Sequence, residues 1–192
     1  MTNRLTFFSL LFILLTGCQT SLSDKEVAAY IEKGSLISKS TGKELSGTLT
    51  SKMKSGGISE AVEFCNTAAL PLTQQMADQH EVLIKRTSLK TRNPLNKPTD
   101  NELAILKEFQ ADLDKGISLE PRIKLDQNGI PNYYAPILIE KKCLNCHGTL
   151  GQELSRPVDS IIRSYYPNDM ATGYSEGDLR GIWSIAFSKP NQ

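Results

Sequence analysis

The pattern of apolar and polar positions predicts two helical segments at the start of the chain. A capping box at Ser23 begins a helix that runs towards Met53. The segment Lys54–Gly57 interrupts it with two glycines. A second helix is predicted over residues 58–79, because its apolar residues recur at steps of three and four. Pro71 lies inside that helix and should kink or divide it, since its ring blocks a backbone hydrogen bond. The apolar face consists of Ile58, Val62, Cys65, Ala69, Leu72 and Met76.

The rest of the chain has the pattern of an antiparallel sheet with helical insertions. The β-branched stretch Glu81–Leu89 predicts a strand, and a capping box at Thr99 begins a helix that ends near Asp114. Asn128-Gly129 is the turn of a hairpin whose second strand is Tyr133–Ile139. Helices followed by such a sheet indicate an α+β fold, not a doubly wound one. The remaining elements are a loop over 90–98, a helix within 155–167 and a closing strand, Gly181–Lys189, whose side chains alternate between two faces.

Composition favours one globular domain without a nucleic-acid partner. The chain has 192 residues, of which 39% are hydrophobic, and this is sufficient for one ordinary core. Its 22 basic and 21 acidic residues nearly cancel, and they form no like-charged run. An electrostatic footprint for DNA or RNA is therefore not expected.

The N-terminus has the pattern of a lipoprotein export signal. Arg4 precedes the apolar stretch Leu5–Leu15, which is shorter than the roughly 20 residues of a membrane-spanning helix; an uncleaved anchor helix is the alternative. The following Leu15–Cys18 resembles a lipobox, which implies a signal peptide over 1–17 and lipidation of Cys18. We expect a short linker over 18–23, one domain over 24–192, and a membrane-anchored protein facing the periplasm. By analogy with Gram-negative sorting, Gln19 after the cysteine favours the outer membrane.

Export changes how the remaining cysteines are counted. With Cys18 lipidated, Cys65, Cys143 and Cys146 are left. Three thiols in an oxidising compartment cannot all pair within the chain. At least one of them therefore needs another role.

The sequence Cys143-Leu144-Asn145-Cys146-His147 admits three interpretations. In the first, both thiols add to the vinyl groups of a haem and His147 binds the iron. In the second, the cysteines perform thiol–disulfide exchange, as in thioredoxin-like proteins. In the third, they bind zinc together with Cys65 and a histidine. The export signal together with the motif favours one covalent haem. The absence of a βαβ pattern before the motif counts against thiol–disulfide exchange, and the absence of a second closely spaced ligand pair counts against zinc. No catalytic triad, phosphate loop or paired-carboxylate signature appears elsewhere in the sequence, so we do not expect an enzyme.

Several motifs in order resemble one known family. They are Ala61–Asn66, Thr91–Leu103, Tyr133–Pro136, Cys143–Gly148 and Tyr166–Gly181. Together they are similar to the haem c-binding, PAS-like domain family, which also forms the extracytoplasmic region of some bacterial sensor kinases. The resemblance covers about residues 24–188. It implies an antiparallel sheet flanked by helices, one covalent haem, and a role in redox or gas sensing or in electron transfer with an unknown envelope partner.

The second axial ligand of the iron is open when the residues are taken alone. Cys65 lies on an apolar helical face, where a cysteine often fills the core. His80 ends the second helix among polar residues, where a solvated histidine is common. The family resemblance implies Cys65 opposite His147, with His80 as the alternative, and thiolate ligation would favour ferric iron and a low reduction potential. The other candidates are an open site or the thioethers of Met53, Met76 and Met170.

Haem contacts are expected from a loop and from tyrosines. Arg92 and Asn93 can bind propionates, or they can brace their Arg-Asn-Pro turn. Tyr134 is expected to pack on the porphyrin or to fill the edge of the core, as are Tyr133, Tyr166 and Tyr174. Turn organisation is expected of Asp169 and Asp178, and a core position of Trp183.

Overall fold

The structure is a computed structural model that describes residues 21–187. The expected signal peptide, the lipidated Cys18 and the end of the last predicted strand, at 188–189, lie outside this range. Within residues 21–187, no helix has both the length and the apolar character needed to cross a membrane.

The described residues form an α+β arrangement, as the sequence predicts. The helices are α1 Asp24–Thr67, α2 Ala69–His80, α3 Asp100–Asp114, the short α4 Leu144–His147, and α5 Arg156–Tyr165. The strands are β1 Leu83–Thr87, β2 Arg122–Leu125, β3 Pro131–Leu138 and β4 Leu179–Ala186. Single 3-10 turns lie at Pro94–Asn96 and Lys141–Cys143.

The N-terminal helices begin and divide close to where the sequence predicts. Ser23 caps α1, and its side chain and backbone exchange hydrogen bonds with Glu26. The predicted interruption is a kink inside α1 at Gly57, whose φ of 70° and ψ of −158° are not helical. The expectation that Pro71 divides the second helix is confirmed, because α1 ends at Thr67 and α2 begins at Ala69, one turn before the proline. Pro71 lies in the first turn of α2, where a backbone N–H has no partner within the helix, so the ring costs little.

The sheet is antiparallel throughout, in the order β1-β4-β3-β2. The hairpin β2–β3 turns at residues 126–130, where Gly129 has a positive φ of 73°. This confirms the turn predicted at Asn128-Gly129. The central strands are β3 and β4, and they carry most of the buried side chains of the sheet.

The two faces of the sheet pack against different helices. On one face Tyr133 and Ile185 are buried with Ile37 of α1, and Trp183 and Phe187 belong to the same cluster. On the other face Tyr134, Leu179 and Ile182 are buried against the α3 residues Ile105, Leu106 and Phe109. The predicted alternation of side chains along the last strand is therefore confirmed. The face that packs against α1 is the one that leads to the candidate site.

Candidate haem site

The Cys-x-x-Cys-His motif lies on one short helical segment after β3. The 3-10 turn at Lys141–Cys143 continues into α4, so Cys143 and Cys146 are separated by about one turn of helix. Cys143 packs with Ile139, Leu144, Ala171 and Tyr174. Cys146 packs with a cluster that includes Val62 of α1 and Ile162 of α5. Both thiols, like that of Cys65, are free and only partly exposed.

His147 is held in the tautomer that a metal ligand needs. Its Nδ1 lies 2.7 Å from the carbonyl oxygen of Ala171. Because a carbonyl only accepts hydrogen bonds, Nδ1 carries the proton and Nε2 keeps its lone pair. Burial, and then the charges of Arg180 and Arg92, hold the pKa of His147 well below its usual value, although the Ala171 bond opposes this. The imidazole is therefore neutral at physiological pH.

Arg92 connects the motif to the loop that follows α5. Its Nε and Nη2 donate to the two carboxylate oxygens of Asp169 at 3.1 and 3.0 Å. Nη2 also donates to the carbonyl oxygens of Cys146, at 2.6 Å, and of Ala171, at 3.3 Å. These bonds agree with the second expectation for Arg92, that it braces the Arg-Asn-Pro turn. Asn93 fits the same role, because its Oδ1 accepts from the backbone N–H of Leu95 at 3.0 Å. The contacts of these two residues with propionates stay predictions.

The fold brings Cys65 of α1 to the motif. Burial raises the pKa of the Cys65 thiol, Arg86 lowers it, and the nearby Cys146 raises it. Tyr166 lies beside the same thiol: burial, and then Cys65, raise its pKa to about 12. Two residues far apart in the sequence, Cys65 and Cys146, are thus near enough for their charges to interact. Cys65 packs in a cluster with Leu45, Phe64, Ala69, Leu72 and Trp183.

Met170 directly precedes Ala171 and lines a cleft with Arg92 and Tyr166, whereas the other proposed axial ligands belong to α1 and α2. His80 is the last residue of α2. Arg86, which acts on Cys65, lies near the end of β1, whereas His80 lies before the start of that strand. Met76 is buried in α2, and Met170 is 54% exposed on its loop. Met53 belongs to α1, before the Gly57 kink. The structure gives none of these four the link to the motif that Cys65 has.

The structure places the tyrosines expected near the haem, and the aspartates expected in turns, in different surroundings. Tyr134 belongs to the face that packs against α3, away from the face that carries Trp183 and leads to Cys65, so the fold does not bring it to the motif. Tyr174 does lie there, with its ring edge-on to His147 at 6.3 Å between centroids. The turn roles of the two aspartates are confirmed: Asp169 accepts from the backbone of Ala171, and Asp178 from that of Ser175.

Two arginines of the site were not predicted from the sequence. Arg86 in β1 acts electrostatically on Cys65 and Tyr166. Arg180 in β4 acts on His147, and its guanidinium lies over the ring of Tyr174 at 5.6 Å. The sequence places Arg86 inside the predicted strand Glu81–Leu89 and Arg180 directly before Gly181–Lys189, but it gives no signal of their partial burial.

The chain matches one protein family over nearly its whole length. The family described as Tll0287-like matches residues 19–188. The chain belongs to the Tll0287-like family. One solved structure, described as the crystal structure of the cyanobacterial heme-protein Tll0287, matches with a TM-score of 0.59 at 24% identity. The match covers 89% of this chain and 99% of that chain, and it confirms the expected PAS-like fold. No curated protein matches the chain.

The donor set of this Tll0287-like chain suits a haem better than a metal ion alone. Two thiols one turn apart and a histidine with Nε2 available match the requirements of covalent attachment and axial ligation. Among residues 21–187, no three His, Cys, Asp or Glu side chains are grouped so as to hold a metal ion. The zinc interpretation therefore has no support here.

A cleft of about 350 Å³ borders the site. It shares Arg92 and Tyr166 with the network described above, whereas the cysteines and His147 do not line it. Met170 and other residues of the loop after α5 line it, so it lies beside the motif and is not formed by the motif itself. The lining residues are Thr91, Arg92, Pro94, Tyr165, Tyr166, Pro167, Asn168 and Met170.

Proposed function

We propose that this chain is a c-type haem protein of the cell envelope that acts in electron transfer or in redox or gas sensing. One haem is attached to Cys143 and Cys146, and His147 is its proximal ligand. The observation that carries the proposal is the bond from His147 Nδ1 to Ala171, which orients the ring and leaves Nε2 to bind. When bound, a haem supplies reversible one-electron chemistry at iron.

Cys65 is the second axial ligand in this proposal. Its support is its proximity to Cys146, together with the charge of Arg86 that opposes the effect of burial on the thiol. A thiolate donates electron density and favours ferric iron, so the reduction potential is low. A ligand that leaves on reduction would open the site to NO or CO.

Haem staining after denaturing electrophoresis tests the attachment. The chain is expressed in a host that matures c-type cytochromes, and a covalent haem then stays with the protein in the gel. The variant in which both Cys143 and Cys146 are replaced by serine should lose the stain. Cys65→Ser is the matched control, since it removes a thiol but should keep the stain. An unstained wild type with two titratable thiols would contradict the proposal.

The same gel separates haem attachment from thiol–disulfide exchange. An exchange enzyme needs a thiolate, and a buried thiol with a raised pKa is a poor nucleophile. Burial raises the pKa of Cys146, and the charge of Arg92 only partly opposes this. Cys146 is therefore poorly suited to be the attacking thiol of an exchange enzyme, and the stain decides between the two functions.

The envelope location is proposed from the N-terminal sequence. Lipidation of Cys18 would anchor the protein in the outer membrane if the envelope is Gram-negative, facing a redox or signalling partner in the periplasm. Replacing Cys18 by serine should release the haem-stained protein from the membrane fraction. If it stays with the membranes in that variant, the lipid anchor is not what holds it.

A further inference from the structure

Arg86 is a partly buried cation whose charge the protein does not balance. Arg86 lies opposite Trp183 in the antiparallel pair of β1 and β4, and its Cζ lies 5.8 Å from the centroid of the Trp183 ring. Within residues 21–187 it makes no hydrogen bond and no ion pair. Burial, and to a smaller extent the charge of Arg180, lower the pKa of Arg86, although Cys65 and Tyr166 oppose this. A guanidinium in such surroundings is costly unless an anion meets it.

Arg180, on the neighbouring strand β4, is also a partly buried arginine without an ion pair among the described residues. Gly181 and Leu179 pair with consecutive residues of β3, so Arg180 is the extra residue of a β-bulge. A bulge redirects a side chain and is common beside functional sites. The guanidinium of Arg180 has hydrogen bonds to the Lys90 carbonyl, at 3.3 Å, and to the Tyr174 side chain, both neutral partners. No carboxylate in the described part of the chain forms an ion pair with it.

The two charges flank the site and act on one another. Arg180 lowers the pKa of Arg86, so the guanidinium groups are close enough to repel. Arg86 neighbours Cys65, and Arg180 adjoins Tyr174, which contacts the ring of His147. Arg92, by contrast, is neutralised by Asp169 in a bidentate pair. Two positive charges that have no ion-pair partner of their own in the described chain therefore lie beside the residues proposed to hold the iron; Asp169, which pairs with Arg92, also acts on Arg180.

We propose that Arg86 and Arg180 together form the carboxylate-binding site that receives the two haem propionates. The proposal rests on the proposed function and replaces Arg92 and Asn93 in that role. A guanidinium binds a carboxylate through two parallel hydrogen bonds, so two arginines suit a ligand with two carboxylates. The propionates would remove the repulsion between the two cations, and the cations would fix the orientation of the ring.

The test uses the full haem-loaded chain and its propionate vibrations. Arg86→Gln and Arg180→Gln should each shift the propionate bending band in the resonance Raman spectrum. Each should also lower the midpoint potential, because loss of a positive charge favours ferric iron. Arg86→Lys and Arg180→Lys keep the charge and guard against failure to fold. In these variants the band should shift, because the bidentate bonds are lost, while the potential changes less than in the glutamine variants.

Arg122→Gln is the matched control, since Arg122 is a sheet arginine that pairs with Glu108 and Asp112 next to α3. It should leave both the band and the potential unchanged. An unchanged propionate band in the Arg86 and Arg180 variants overturns the inference, even if the potential moves. A wild type without covalent haem overturns the proposed function instead, so the two failures are distinguishable.

Discussion

The Nδ1 atom of His147 lies 2.7 Å from the carbonyl oxygen of Ala171, a residue 24 positions later in the chain. Two backbone bonds join the same segments: Tyr174 donates to His147 at 3.0 Å, and Gly173 donates to Gly148 at 2.9 Å. The loop after α5 therefore forms one structural unit with the motif. One segment supplies the proposed ligands, and the other orients the ring of His147.

Arg92→Gln should destabilise this unit strongly. The Asp169 side chain is fully buried, and without Arg92 its charge loses its bidentate partner. Breaking a buried pair from one side costs about 3 kcal/mol or more in the free energy of unfolding. Denaturant unfolding of the haem-loaded protein measures the loss.

Arg163→Gln is the matched control for Arg92→Gln. Arg163 pairs with Asp159 one helical turn away and is itself 48% exposed, while Asp159 keeps 13% exposure, so the loss should be about 1 kcal/mol, well below that of Arg92→Gln. Equal losses in the two variants would show that the Arg92–Asp169 pair has no special part in stability.

The elements with local signals were predictable from the sequence. The capping box of Thr99 with Glu102 begins α3 where expected, and the Gly129 turn closes the hairpin. These signals depend on residues only a few positions apart, so the sequence states them directly. Pro71 likewise predicts the division of the second helix, which falls one turn before it because a proline ring clashes with the carbonyl group four residues earlier.

The partners of the site residues could not be predicted in the same way. Arg92 meets Asp169 across 77 positions, and nothing in the Arg-Asn-Pro turn indicates that the guanidinium is already committed to a carboxylate. Arg180 enters the site because of a bulge in β4, which strand alternation does not reveal. The Cys-x-x-Cys-His motif can be predicted because its residues are consecutive. The positions of the charged residues around it depend on how distant segments pack and cannot be predicted in this way.

Cys65→Ser should change the ligation of the iron but not its attachment. Loss of the thiolate should raise the midpoint potential by on the order of 100 mV, a part of the roughly 0.8 V over which axial ligands set haem potentials. The reduced variant should also bind added CO more readily than the wild type. Spectroelectrochemistry of the wild type and the variant, with and without CO, measures both effects.

His80→Gln is the control for the axial ligand, because His80 is the chain's only other histidine outside the motif. Its spectrum and potential should match those of the wild type. If His80→Gln changes the spectrum while Cys65→Ser does not, the ligand is the histidine.

Glu102→Gln should reduce stability at neutral pH and much less in acid. Burial alone would raise the pKa of Glu102, but hydrogen bonds from Lys85, the Thr99 backbone and Ser184 outweigh it, and the pKa is lowered. A carboxylate with a lowered folded pKa stabilises the protein above its unfolded pKa of about 4.3, and this contribution is lost as pH falls through the folded value. We expect a loss of about 2 kcal/mol at pH 7.

Urea unfolding of the Glu102 variant and the wild type at a series of pH values measures this effect. The difference should narrow as the pH falls below about 4, since both chains then carry an uncharged group. Glu108→Gln is the control, because its side chain is 44% exposed and its loss should be small at every pH. A difference that does not depend on pH would mean that Glu102 contributes packing only.

Two glycines of α1 should respond to alanine with opposite signs. A Cβ on Gly34 would come within 2.3 Å of the buried ring of Tyr133, which also shares hydrogen bonds with Ser35 and Ser38. Overpacking of this kind costs about 1–3 kcal/mol. Gly47 is exposed in the same helix with nothing within 4 Å of its Cβ position. There alanine should stabilise the protein by about 0.5–1 kcal/mol through its better helix propensity. Thermal unfolding of both variants checks the pair, and a stabilised Gly34→Ala would show that α1 does not pack on Tyr133 as described.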